Sequence, residues 1–130
     1  MNREILFRGK TIDTGEWAYG YLVTGTNWLD DKSMTIIVPS DVRFYPHCEL
    51  SEYEIVDPET VGQYVGWKDV KGNKIFEGDI LESTRRRDGH RILISDVYNA
   101  GGLWIYISEY GYEVIGNIWD NLEKIMEVEK

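Results

Sequence analysis

Val56-Asp57-Pro58-Glu59-Thr60-Val61-Gly62-Gln63-Tyr64-Val65-Gly66-Trp67-Lys68-Asp69-Val70-Lys71-Gly72-Asn73-Lys74-Ile75-Phe76-Glu77-Gly78-Asp79-Ile80-Leu81 decides the fold, because short strand-like runs alternate in it with turn chemistry. Asp57-Pro58-Glu59-Thr60 reads as one helical turn at most: an Asp oxygen accepts an orphan amide, and proline at the first helical position forfeits nothing. Gln63 to Trp67 is then a strand, Lys71-Gly72-Asn73 turns it, and Lys74-Ile75-Phe76 pairs back. Glu77-Gly78 makes a corner or bulge, from which Asp79-Ile80-Leu81-Glu82 departs.

Upstream, Ile5-Leu6-Phe7-Arg8 is strand-like, and Asp13-Thr14-Gly15-Glu16 returns the chain through Trp17, Tyr19 and Tyr21. These three alternate with Ala18, Gly20 and Leu22, which puts large rings on one face of a first hairpin. After a polar loop from Asn27 to Lys32, Met34 to Val38 is a buried strand ended by Pro39. Pro39 to Tyr53 has no period and reads as a long irregular connection.

Downstream, Asp88-Gly89 is a hairpin signal whose two central positions favour positive φ. It joins an extension from Glu82 to Arg87 to a strand from His90 to Ser95. Gly101-Gly102 then precedes Leu103-Trp104-Ile105-Tyr106-Ile107, which alternates as a strand does, and a last strand follows through Tyr112-Glu113-Val114-Ile115. Leu122, Ile125, Met126 and Glu129 are spaced for a short helix over Asn121 to Lys130.

The 13 glycines and 17 Trp, Tyr and Phe residues fit this β-rich pattern better than a helical one. At 130 residues the chain suits a single domain, able to bury roughly two-thirds of its unfolded surface. Within it an N-terminal hairpin region, 1–55, precedes a motif-bearing region, 56–130. The expected architecture is mostly β: a small, partly open barrel or two curled antiparallel sheets, with an SH3-like element in the second half.

The central stretch, with Phe7-Arg8-Gly9-Lys10, Trp17-Ala18-Tyr19-Gly20 and Glu113-Val114-Ile115-Gly116-Asn117-Ile118, resembles the signature of the YopX family over nearly the whole chain. The resemblance implies a protein encoded by phages, prophages or other mobile elements, in a family without an assigned biochemical activity. One departure stands out: Trp67-Lys68-Asp69 carries tryptophan where leucine is more usual.

A net charge of −9, from 14 basic and 23 acidic residues, opposes loose association with a phosphate backbone. Residues 1–65 carry 5 basic and 11 acidic side chains (−6), and residues 66–130 carry 9 and 12 (−3). The basic charge is local, gathered at Arg85, Arg86, Arg87 and Arg91. A single cysteine, Cys48, excludes an intramolecular disulfide and suits a reducing cytoplasm. No run of about eighteen apolar residues suggests a membrane span.

Glu77 and Asp79, two apart on an extended chain, would point to one side and could hold a metal or move a proton. The plainer reading has Asp79 bonding turn amides and Glu77 solvated. His47 and Cys48 are neighbours that an extended chain points apart, and with His90 they fall short of zinc spacings. The G-x-S-x-G, H-E-x-x-H and phosphate-loop motifs are absent. Neither catalytic residues, nor a metal site, nor a cofactor is therefore expected, and a cation-dependent hydrolase built on Glu77 and Asp79 is the weakest reading.

The motif residues Gly62, Gln63, Tyr64, Gly66, Gly78, Asp79, Gly116 and Asn117 read as turn and close-packing positions. Asn117 would bond the backbone of a neighbouring strand. The candidate binding residues are Trp67, Lys68, Arg85, Arg86, Arg87, Arg91 and Trp104, with Tyr106 beside Trp104 as a stacking platform. The first functional expectation is a non-enzymatic module that binds a host or phage protein, and a variant of it is an acidic mimic of nucleic acid that blocks a host enzyme. A nucleic-acid binder working through the Arg85–Arg91 tip is the second expectation. Exposed strand edges leave homo-oligomers open.

Overall fold

The computed structural model describes residues 4–27, 29–39, 53–95 and 102–121. Among the described residues the architecture is mostly β, in antiparallel sheets that do not close into a barrel, with one short α-helix late in the chain. Of the two expected forms, two antiparallel sheets are the one observed. The chain divides into two compact units, Ile5–Gly62 and the segment from Gln63 onward joined by Glu4.

In the first unit, β1 (Phe7–Lys10) and β2 (Trp17–Thr26) form the expected hairpin, with Phe7 opposite Gly20 and Lys10 opposite Trp17. Its turn is held by Thr11 N donating to Glu16 O (2.9 Å) and by a Thr11–Thr14 hydroxyl contact (2.7 Å). β3 (Ser33–Val38) continues the sheet against β2, and β4 (Glu54–Ile55) pairs with β3. Ile36, Ile37, Val38 and Val56 are buried, each contributing about 1.5–3 kcal/mol of apolar burial. Asp57 caps the 3-10 turn Pro58–Thr60 by accepting from Glu59 N (3.0 Å), as its sequence implied. Thr60 Oγ1 then accepts from Lys10 N (2.9 Å), which ties that turn to β1.

The second unit opens with a hairpin of β5 (Gly62–Lys68) and β6 (Lys74–Phe76), whose register shifts between Tyr64 and Lys68, where Gly66 takes a positive φ. A three-stranded sheet follows in the order β8 (Arg91–Leu93), β7 (Asp79–Ser83), β9 (Tyr112–Asn117). Val65, Ile75, Leu81, Ile94, Leu103 and Tyr112 form the core of this unit.

The Glu77-Gly78-Asp79 corner is built from side-chain to backbone bonds. Asp79, buried, accepts from Phe76 N (2.8 Å), and Glu77 Oε1 accepts from Gln63 N (2.8 Å) while Glu77 N donates to Gln63 O (3.0 Å). Asp79 thus plays its expected part, whereas Glu77 is a strut and not a solvated charge. Gly78 has φ +91°, and a Cβ there would lie 2.3 Å from Trp119 Cζ3, so only glycine fits.

Several local expectations are corrected. Asn117 does not reach a neighbouring strand: its Oδ1 accepts from Trp119 N (3.0 Å) and Asp120 N (2.9 Å), closing the turn that follows β9. Its neighbour Gly116 lies opposite Ile80 on β7. The Asp88-Gly89 hairpin is no two-residue turn, because only Gly89 has positive φ and strand pairing stops at Glu82 opposite Arg91. Its tip is the loop 84–90, which removes the expected extension through Arg87.

The largest correction is Leu103–Ile107, expected as a strand and observed within the helix α1 (Leu103–Tyr110). Alternation and β-branched residues favour a strand locally, but Leu103 and Ile107 also lie four apart and meet the core on one helical face. The expected terminal helix after Asn121, the connection within 40–52 and the His47-Cys48 pair lie outside the described residues.

Candidate functional site

Ser83, Thr84 and Arg85 leave β7 and clamp the C-terminal end of α1. Ser83 Oγ donates to Tyr110 O (2.7 Å), Thr84 Oγ1 donates to Gly111 O (2.8 Å), and Arg85 Nη1 donates to Ser108 O (2.7 Å) and Glu109 O (3.2 Å). A guanidinium on the last carbonyls satisfies orphan acceptors and complements the helix dipole, which α1 lacks a basic residue of its own to do. Gly111 caps the helix at φ +62°, where a Cβ would stand 2.4 Å from Thr84 Oγ1. Ser83 Oγ also accepts from Arg85 N (3.2 Å) and Arg86 N (2.9 Å), which fixes the start of the tip.

The other tip arginines sort by partner. Arg86 makes a two-point pair with Asp88, Nη2 to Oδ2 at 2.9 Å and Nε to Oδ1 at 3.2 Å, and its guanidinium lies 6.0 Å from the Tyr110 ring centroid. Asp88 is held below the usual carboxylate range chiefly by its hydrogen bond from Arg86, and Arg86 is raised by the same bond. Arg91 Nε donates to Glu82 Oε2 (2.7 Å) across the β7–β8 pair. Arg87 is exposed and makes no ion pair among the described residues.

Beside the tip stands a cluster of tyrosines. Tyr112 is fully buried and meets Tyr106 (5.4 Å) and Tyr110 (6.5 Å) edge-to-face, with His90 also edge-on at 6.0 Å and bonded through Nδ1 to the Tyr112 hydroxyl. Burial pushes the Tyr112 phenol above its ordinary value of 10.0. Tyr106 and Tyr110 are each 40% exposed, so a buried ring floors a surface of rings and guanidinium groups.

The expected pairing of Trp104 with Tyr106 does not occur. Two residues apart on a strand they would share a face, but on a helix of 3.6 residues per turn they diverge by about 160°. Trp104, 51% exposed, lies on the flank of α1 away from the tyrosines. Trp67 and Lys68 sit on β5, with Trp67 41% exposed, and neither side chain makes an ion pair or ring contact among the described residues. The tip therefore brings Arg85 and Arg86 to the end of α1 that carries Tyr110, with Arg87 next in the loop, and leaves Trp67 and Lys68 on β5 and Trp104 on another flank of the helix.

Asp69 was overlooked as a determinant. Buried, it accepts from Lys71 N (2.9 Å), Asn73 N (2.8 Å), Asn73 Nδ2 (3.3 Å) and Val114 N (2.8 Å), so it shapes its own turn and occupies an amide of β9. The Asp-x-x-Gly-Asn spacing hinted at the turn, but nothing local pointed to Val114. In the first unit a groove of about 350 Å³ is lined by Thr11, Asp13, Glu16, Trp17, Tyr19 and Glu54 among others, and none of the candidate binding residues lines it. Among the described residues no three His, Cys, Asp or Glu side chains gather as a metal group, and no helix is long and apolar enough to cross a membrane.

Neither the curated proteins nor the solved structures contain a match to the chain. A family model described as YopX protein does match, over residues 6–126, and covers the β1–β2 hairpin, the Glu77–Asp79 corner and the Gly116-Asn117 turn alike. The chain belongs to the YopX family.

Proposed function

We propose that this YopX protein is a phage-type accessory module that works without catalysis, by binding another protein in the host cytoplasm. The observation that carries this reading is the exposure of large rings on both units: Tyr19 and Tyr21 in β2, Trp67 in β5, and Trp104, Tyr106 and Tyr110 on α1. A chain that leaves Trp and Tyr uncovered has the composition of binding hot spots. The motif carboxylates Glu77 and Asp79 support the same reading, since each accepts from a backbone amide, Glu77 from Gln63 N and Asp79 from Phe76 N. With a net charge of −9, encounter with basic regions of a partner would be steered at long range.

Nucleic-acid binding through the tip is the lesser reading. Phosphate contact gains from several available cations, and Arg85, Arg86 and Arg91 each hold an internal partner. The test is photo-crosslinked capture from host lysate at moderate salt, comparing the chain with an unrelated protein of equal charge. A specific partner, weakened at least about tenfold by alanine at the contacting ring, is expected, since one hot spot is worth about 2 kcal/mol. Recovery of only what the control recovers would end the proposal.

A further inference from the structure

We infer that the Tyr106–Tyr110 flank of α1 and the Arg86–Arg87 tip form a docking site for a short acidic segment of a partner protein, one bearing an apolar anchor between carboxylates. This rests on the protein-binding reading above and assigns it a place and a chemistry.

Position is the first argument. Tyr106 and Tyr110 lie one helical turn apart with centroids 6.4 Å from each other, and both rest edge-on against buried Tyr112. Their outward halves are thus held by packing and lose little freedom on binding, which favours them as anchors. The clamp from Ser83, Thr84 and Arg85 fixes the helix end that carries Tyr110. The rings and the tip are therefore parts of one hydrogen-bonded assembly.

Charge is the second. Arg87 is the tip guanidinium with neither an ion pair nor a hydrogen bond among the described residues, and Arg86 lies over Tyr110 with its Asp88 pair exposed to exchange. Guanidinium groups recognise carboxylates by two parallel bonds. Phenolic hydroxyls beside them add donors that carboxylates accept. Residues 84–90 carry three arginines against one aspartate, so the tip is a locally basic patch on a chain of net charge −9.

Extent argues for a peptide over a polyanion. One guanidinium without a partner among the described residues and one exchangeable pair suit a segment with one or two carboxylates, whereas a nucleic acid would need several phosphate contacts for useful affinity. The two half-exposed rings supply what a peptide requires and a backbone phosphate does not, an apolar surface for a buried side chain.

The test is selection from a displayed library of random peptides on the full-length chain, followed by titration of the selected peptides against Arg87→Glu and Tyr106→Ala. Enriched peptides should carry Asp or Glu flanking an aromatic or aliphatic residue, lose at least about tenfold in affinity to each variant, and shift the amide resonances of residues 86, 87, 106 and 110. Arg87→Glu falls on an exposed loop residue and breaks no bond among the described residues, so it keeps the test clean if Tyr106→Ala unfolds. Selection of basic or neutral peptides, equal binding to Arg87→Glu, or tighter binding of a short oligothymidine at matched salt would each overturn the inference. An empty selection beside a specific lysate partner overturns this inference alone, while both empty overturn the protein-binding reading too.

Discussion

Replacing Asp69 with alanine should loosen the second unit far more than its place in a turn suggests. The carboxylate accepts four hydrogen bonds, from Lys71 N, Asn73 N, Asn73 Nδ2 and Val114 N. Bonds to a charged acceptor are worth about 1.5–3 kcal/mol each, and a donor left buried without a partner costs about 1–3 kcal/mol. Lys71 N and the Asn73 amide side chain can turn to water, but Val114 N belongs to β9 and Asn73 N to a closed turn. Counting those two as orphaned, the loss is about 3 kcal/mol. For a chain of this length that is roughly a 10 °C fall in Tm. Asp69→Asn keeps one accepting oxygen and should lose about half as much, since its NH2 cannot accept. Denaturant titration reads the total, and hydrogen exchange at the Val114 amide reads the specific bond. If Asp69→Ala costs less than about 0.5 kcal/mol, well below the value of a single such bond, or if Val114 exchange is unchanged, the account of Asp69 as the tie between turn and strand is wrong.

Gly78→Ala should cost about 3 kcal/mol or more, because strained φ and the Trp119 ring both oppose a Cβ. Gly66→Ala, with positive φ but open space, should cost only about 1–2 kcal/mol, and equal losses in denaturant titration would refute the steric part. Tyr112 gives a pH test with a definite sign: its folded phenol is raised above 10.0, so the unfolded chain releases that proton first and stability falls as pH rises past 10. Absorbance at the phenolate band should show Tyr112 ionising together with unfolding, and Tyr112→Phe should flatten the alkaline decline in Tm. A Tyr112 phenolate formed in the folded chain near its ordinary range would count against its burial.

Local chemistry announced much of the fold, element by element. Asp57-Pro58-Glu59-Thr60 states its own cap, Lys71-Gly72-Asn73 its own turn, and Gly78-Asp79 its own corner, because in each the bonding partners lie close by in sequence, whereas the strut from Glu77 reaches Gln63, 14 residues away. The site was legible only in part. The arginine run was evident, yet its partition into a helix clamp, a pair with Asp88, a pair with Glu82 and an available Arg87 depends on groups up to 24 residues away. Asp69 was silent for the same reason, since Val114 lies 45 residues along the chain.

Composition, alternation and turn residues by themselves determined a mostly β chain with a hairpin at each end of its central motif. Only the tertiary structure decided the state of Leu103–Tyr110, whose alternation and β-branched residues lean toward a strand. Bonds from Ser83, Thr84 and Arg85 to its final carbonyls, and core space for Leu103 and Ile107 on one face, make it a helix. That outcome separates Trp104 from Tyr106 and turns Tyr106 and Tyr110 toward the arginines, because helical and extended chains send the same residues to different sides.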